Sequence, residues 1–129
     1  MPDMVLYNGH ATTSQLSNKG LFKAGDVAQV RSAGGQLWLP MSCYMTYYES
    51  THVNTLAHQL LFSGNAVGIS GAMLLSNQGS NIAAGTAILN DTVNAGASIG
   101  EAINAHKATR LNAQLDVNLS HLGDPTPKM

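Results

Sequence analysis

Charge is what this sequence has least of. Only 10% of its 129 residues are Asp, Glu, Lys or Arg, and the net charge is -1. A disordered tail or a coiled coil would carry far more. So small a net charge gives no electrostatic reason to bind nucleic acid or an anionic membrane. The basic residues Lys19, Lys23, Arg31, Lys107, Arg110 and Lys128 are scattered, with neither a stripe nor interleaved aromatics. Cysteine is nearly absent too: Cys43 stands alone, which excludes an intrachain disulfide framework. No run approaches the roughly 20 apolar residues that span a bilayer. The opening MPDMVLYNGH lacks the basic residues and the apolar length of a secretory signal, so any export signal is expected on sequence outside it.

What is there is apolar. Hydrophobic residues make up 44% of a chain about one domain long, enough to bury a sizeable core. With so little charge, part of the surface is expected to be covered by another domain or another chain.

Short β-like runs alternate with helical ones. Residues 4–8, MVLYN, read as a buried strand that meets a turn at Gly9. Residues 11–25 are polar and read as a loop. Asp26 can cap a short helix over 27–33, ended by Gly34-Gly35. QLWLPMS, residues 36–42, is a second strand, with Pro40 expected at its end or beside a bulge and Trp38 in the sheet. Thr51 opens a helix whose Val53, Leu56, Ala57, Leu60 and Leu61 share one face, closed by Gly64. AVGIS, 66–70, is small and apolar on both faces, as a central parallel strand is. A Gly/Ser/Asn-rich loop over 71–81 precedes helices near 82–93 and 99–114, the second opened by a Ser98–Glu101 capping box. Gly123-Asp124-Pro125 marks a turn in the tail. This order predicts an α/β fold, a parallel sheet with helices on both faces. Three strands make a thin sheet, and the chain opens directly on one of them. It therefore reads as the C-terminal half of a larger domain.

In parallel α/β sheets the chemistry sits beyond the carboxyl ends of the strands. The first strand ends in Asn8-Gly9-His10, the second in Ser42-Cys43. A right-handed crossover would set these ends side by side. A thiolate attacks carbonyl carbon, imidazole moves protons near neutral pH, and backbone N–H groups after the strands can hold an oxyanion. Taken singly, a lone cysteine is more often a small buried hydrophobe, and a histidine after a strand is usually a satisfied polar group. Their joint placement is what points to catalysis.

The segments VLYNGHA, LPMSC, NAVGISGAM, SIGEAINAHK and LSHLGDPTPKM, in that order, resemble the C-terminal half of the gingipain-type peptidase domain, a family of the caspase-like clan of cysteine peptidases. The dipeptides Gly-His and Ser-Cys are weak signals alone; Leu122-Gly123-Asp124-Pro125-Thr126 is stronger. The resemblance implies a caspase-like fold over 1–129 as a single, partial peptidase domain, and no cofactor. It implies His10 as catalytic histidine, Cys43 as nucleophile, and the backbone of Ala11 and Cys43 as oxyanion donors. It implies a polypeptide substrate, a taste for basic residues before the cut, and an extracellular or cell-surface setting. The partner it implies is the missing N-terminal half of the domain or another chain. Two places depart from the family pattern: Ala11 stands where Gly is common, and Met41-Ser42 replaces a longer apolar run.

Other residues carry less. His52, His58, His106 and His121 lack metal-site spacing. Glu49 or Asp91 could orient His10 or read a basic side chain, and Tyr44, Tyr47 and Tyr48 could line the cleft; solvated or packed roles fit each at least as well. The alternatives to a peptidase are a non-catalytic caspase-like module serving as a surface or interaction domain, and an unrelated ligand-binding domain using 71–81. That loop has neither GxxxxGK[ST] nor GxGxxG spacing, so it offers no nucleotide site.

Overall fold

The structure is a computed structural model that describes residues 3–30, 35–49, 55–109 and 118–129. Strand β1 (Asp3–Asn8) leads into three two-residue strands, β2 (Ala11–Thr12), β3 (Gln15–Leu16) and β4 (Phe22–Lys23), and a 3₁₀ helix at Ala24–Gln29. Then follow β5 (Gln36–Met41), α1 (Leu56–Phe62), β6 (Ala66–Ala72), α2 (Gln78–Val93), α3 (Ile99–Thr109) and β7 (Leu119–Gly123).

The main sheet has the order β1-β5-β6-β7. β1, β5 and β6 run parallel, with Asn8 opposite Met41 and Trp38 opposite Ile69. From Leu37 to Met41 β5 is apolar because both its faces are covered. Leu37, Leu39 and Met41 pack on one side with Ala84 and Ile88 of α2 and Ile99, Ala102 and Ile103 of α3. Trp38 packs on the other with Leu56, Ala57 and Leu60 of α1, Val27 and Leu16. Fully burying a side chain such as Leu39 or Ile88 is worth about 1.5–3 kcal/mol, so these two cores, rather than the two-residue strands, hold the fold.

Helices lie on both faces, as expected, but the sheet is mixed: β7 pairs antiparallel with β6, from Gly68 opposite Gly123 to Ala72 opposite Leu119. This corrects the all-parallel, three-stranded expectation. LSHLG has only Leu119 fully buried and its middle half-buried, so its apolar signal is too thin to read as a strand. The supposed loop over 11–25 is likewise the small antiparallel sheet β2-β3-β4, built of segments too short to show a period. In place of the helix expected at 27–33, a 3₁₀ helix runs Ala24–Gln29 and Val30 is already extended, while 31–33 lie outside the described residues; Asp26 sits inside this helix, and its Oδ2 accepts from the Lys23 N–H at 2.9 Å. α1 opens behind Thr55, whose side chain accepts from His58 N at 3.2 Å; Thr51 and Val53 lie outside the described residues. Gly64 ends it at φ +74°, the left-handed residue that glycine supplies at least cost. The stretch 71–81 is only partly a loop, because β6 runs to Ala72 and α2 starts at Gln78. No helix among the described residues is long and apolar enough to cross a membrane.

Candidate active site

The shared register of β1 and β5 sets two turns side by side. One step beyond the Asn8–Met41 pair lie Gly9 and Ser42, and one more reaches His10 and Cys43. Gly9, His10 and Cys43 line one cleft together with Ser76, Gln78 and Asn81. His10 is exposed, and its carbonyl accepts from Tyr7 Oη at 2.9 Å and from Ser17 N at 2.7 Å. At Gly9 a Cβ would stand 2.6 Å from that same Tyr7 hydroxyl, so a larger residue would push the Tyr7 ring aside and disturb its bond to His10 O. Cys43 is half-buried. Its Sγ accepts from Ser76 N at 3.4 Å and donates to Ser76 O at 3.4 Å.

The backbone bends sharply after the thiol. Tyr44 sits at φ +57°, a left-handed conformation costing a tyrosine about 1 kcal/mol or more. Tyr44 N donating to Leu74 O at 3.2 Å and Thr46 Oγ1 donating to Gly71 O at 3.0 Å hold that bend against the end of β6. Ala11, by contrast, lies in extended β2 and is not among the positive-φ residues, so its substitution for the family's common glycine asks nothing of the backbone. Ser17 bonds back to His10 O, which makes Ala11–Leu16 the non-hydrogen-bonded pair and turns the Ala11 N–H to the outer side of the hairpin.

A model of peptidase family C25 matches residues 2–129. The chain belongs to peptidase family C25, the gingipain family. With the family comes cysteine-peptidase chemistry, that of a hydrolase. No curated protein and no solved structure matches the chain significantly.

Within this C25 chain the most distinctive motif lies far from the thiol. Asp124 Oδ1 accepts from Thr126 N at 2.9 Å and Thr126 Oγ1 at 2.7 Å, and these bonds lower the Asp124 pKa. Gly100 N donates to Pro125 O at 3.0 Å and Ile99 N to Pro127 O at 3.1 Å, so the tail caps α3. LGDPT is therefore a clasp. The other polar candidates also fall outside the cleft. Asp91 lies in the last turn of α2 and Glu49 is exposed. Tyr44 and Tyr47 pack edge to face at 6.2 Å, Tyr48 faces solvent, and Trp38 is in β5, stacked on Phe22 at 5.5 Å. His58 and His106 lie on α1 and α3, and His52 is outside the described residues. The sequence reading missed Ser76, Gln78 and Asn81. The signal was Asn77: its side chain accepts from Ser80 N at 2.8 Å as an N-cap, which starts α2 inside the supposed loop.

Proposed function

We propose that this chain is a cysteine endopeptidase working through a Cys43–His10 dyad and a thioester acyl-enzyme. The observation that supports it is the cleft shared by the two turns at the carboxyl ends of β1 and β5. Cys43 Sγ, as thiolate, attacks the scissile carbonyl carbon, and the carbonyl electron pair moves onto oxygen. The N–H groups of Ala11 and Cys43 donate to that oxyanion; one such donor is worth about 10²–10³ in rate. Collapse breaks the C–N bond, His10 protonates the departing amine, and a thioester remains. His10 then takes a proton from water as the water oxygen attacks the thioester, releasing the acid and restoring the thiolate. One water is consumed and no cofactor takes part.

The residues from 1 to 129 form one part of the peptidase domain. β1 is the edge of the four-stranded sheet, and Leu6 on it is 49% exposed. A strand from the N-terminal half of the domain, or from another chain, pairs there. Turnover of fluorogenic peptides under reducing conditions tests the reading. The chain alone is expected to be poorly active; joined to the N-terminal half of the domain, wild type cleaves, and both Cys43→Ala and His10→Ala fall to background. A wild type that cleaves nothing, or a Cys43→Ala variant that cleaves as well, leaves the non-catalytic module as the better reading.

A further inference from the structure

The order β1-β5-β6-β7 leaves β7 at the side of the sheet away from β1. Asp124 N donates to Val67 O at 2.9 Å and Met73 N to Asn118 O at 2.8 Å, so these are hydrogen-bonded pairs of the β6–β7 ladder. Such pairs alternate along an antiparallel ladder. The N–H and C=O groups of Leu119, His121 and Gly123 therefore point away from β6, and no described residue takes them. Sheet edges are normally blunted by a charge, a proline or a bulge, and LSHLG has none of these. Beside this strand a groove of about 390 Å³ opens against α3. Ile103, Asn104 and Lys107 form one wall, and Ser120, His121 and Gly123 the other. Lys107 is half-buried, and no described acid pairs with it. The two carboxylates at the ends of the groove are engaged elsewhere: Asp124 accepts from Thr126, and Glu101 accepts from Ser98 N.

We infer that β7 and α3 form a docking site for an extended, acidic segment of another protein, which adds to the sheet beside β7 and sets a carboxylate on Lys107. The site lies apart from the cleft of His10 and Cys43 and does not depend on the peptidase reading. Main-chain bonds to Leu119, His121 and Gly123 give affinity whatever the sequence, and alternate side chains entering the groove give selection. The strand is already rigid, since both His121 nitrogens and the Ser120 hydroxyl are held, so docking costs it little ordering. An apolar segment would cover the Lys107 ammonium without a counter-charge, and a basic one would repel it. A second copy of this chain is disfavoured for the same reason. Pairing β7 with β7 across a two-fold axis puts both α3 helices on one face of the joined sheet, lysine toward lysine with no free acid between them.

Fluorescence anisotropy tests this on the full chain carrying Cys43→Ala, so that no peptide is cut. The probes are short labelled peptides of alternating Val and Thr with one central Glu, Gln or Lys. The Glu peptide should bind at least about fivefold more tightly than the Lys peptide, with Gln between them. Lys107→Glu, one good helix former for another, should invert that order. A second arm leaves the protein untouched and decides the matter should that variant fail to fold. The Glu peptide is N-methylated on alternate residues, in two complementary sets. The set whose N–H groups face β7 should lose binding about tenfold or more, and the other set should keep it. Equal affinities for the three peptides, an order that Lys107→Glu leaves unchanged, or equal losses in both methylated sets overturns the inference. So does a dimer in sedimentation that excludes the Glu peptide, which gives the edge to a second copy. Hydrolysis enters none of these readouts, so the peptidase reading stands or falls separately.

Discussion

At the carboxyl ends of β1 and β5 the polar groups are left open. The His10 ring has no hydrogen bond to any described residue, Asn81 Oδ1 has none, and Cys43 Sγ meets only Ser76 at 3.4 Å. Across the sheet, where β6, β7 and the start of α3 meet, Ser70, Ser120, His121 and Asp124 are all hydrogen-bonded. His121 is held at both nitrogens, Nδ1 by Ser70 Oγ at 2.7 Å and Nε2 by Asp124 O at 2.9 Å, and Ser120 Oγ donates to Thr46 Oγ1 at 2.6 Å. Unmet groups lower stability and are tolerated where a ligand completes them, whereas a closed network rigidifies. The first region suits the chemistry proposed for it, and the second holds the frame still.

Substitutions should separate the two regions cleanly. The largest effect is on activity: Cys43→Ala should abolish peptide hydrolysis, because no neighbouring group replaces the nucleophile. Its stability should change by about 1 kcal/mol at most, since the thiol is half-buried and Ala fits its space. Urea unfolding beside a peptide assay reads both. A large loss of stability would assign Cys43 to the frame instead.

Gly123→Ala should do the reverse. Gly123 is at φ +104°, and a Cβ there would drive into Val67 O and stand 2.9 Å from Gly68 Cα. Both are backbone atoms that cannot step aside, so the cost is expected at about 3 kcal/mol. The urea midpoint should fall sharply. An unchanged midpoint would show that the β6–β7 clasp is slack.

The cores and the cleft were not equally legible. β5 and β6 show in the sequence because both faces of each are largely buried, so Leu37–Met41 is a continuous apolar run and AVGISGA is small and apolar but for Ser70. His10 and Cys43 could be paired because strand ends in parallel sheets converge on one edge. The wall of the cleft was hidden, since Gln78 and Asn81 sit in a stretch of Gly, Ser and Asn whose composition reads as loop. Only the cap geometry of Asn77 turns it into a helix. β7 was hidden differently: its pairing with β6 spans some fifty residues, and nothing local in LSHLG announces it.

His121 gives a pH dependence that belongs to the clasp alone. Burial lowers its pKa below the ordinary 6.5, partly offset by the Asp124 carbonyl and carboxylate. With Nε2–H donating to Asp124 O, Nδ1 accepts the Ser70 hydroxyl, so the network suits the neutral ring. A folded pKa below the unfolded one means that the unfolded chain binds more protons in that window. Stability from this group is therefore complete above about 6.5 and is lost as pH falls through the lower, folded value. Unfolding free energies between neutral and mildly acidic pH should drop more steeply for wild type than for His121→Gln. Equal slopes would remove His121 as the cause.

The smallest effect concerns the start of α3. Ser98 and Glu101 form a reciprocal box: Ser98 N donates to Glu101 Oε2 at 2.8 Å, and Glu101 N donates to Ser98 Oγ at 3.3 Å. Ordinarily, removing a capping hydroxyl costs about 0.5–2 kcal/mol. Here the tail already takes the Ile99 and Gly100 N–H groups through Pro127 O and Pro125 O, so the helix start has two suppliers. Ser98→Ala leaves one N–H to water at an exposed helix end, and the loss should stay near the lower limit, about 0.5–1 kcal/mol. The double variant Ser98→Ala/Gly123→Ala then becomes informative. Gly123→Ala displaces the turn that carries Pro125, so the second supplier should fail with it. The cost of Ser98→Ala measured in that background should exceed its cost in wild type, a coupling between contacts in one network. Strict additivity of the two urea midpoints would mean that the tail caps α3 independently of the β6–β7 clasp.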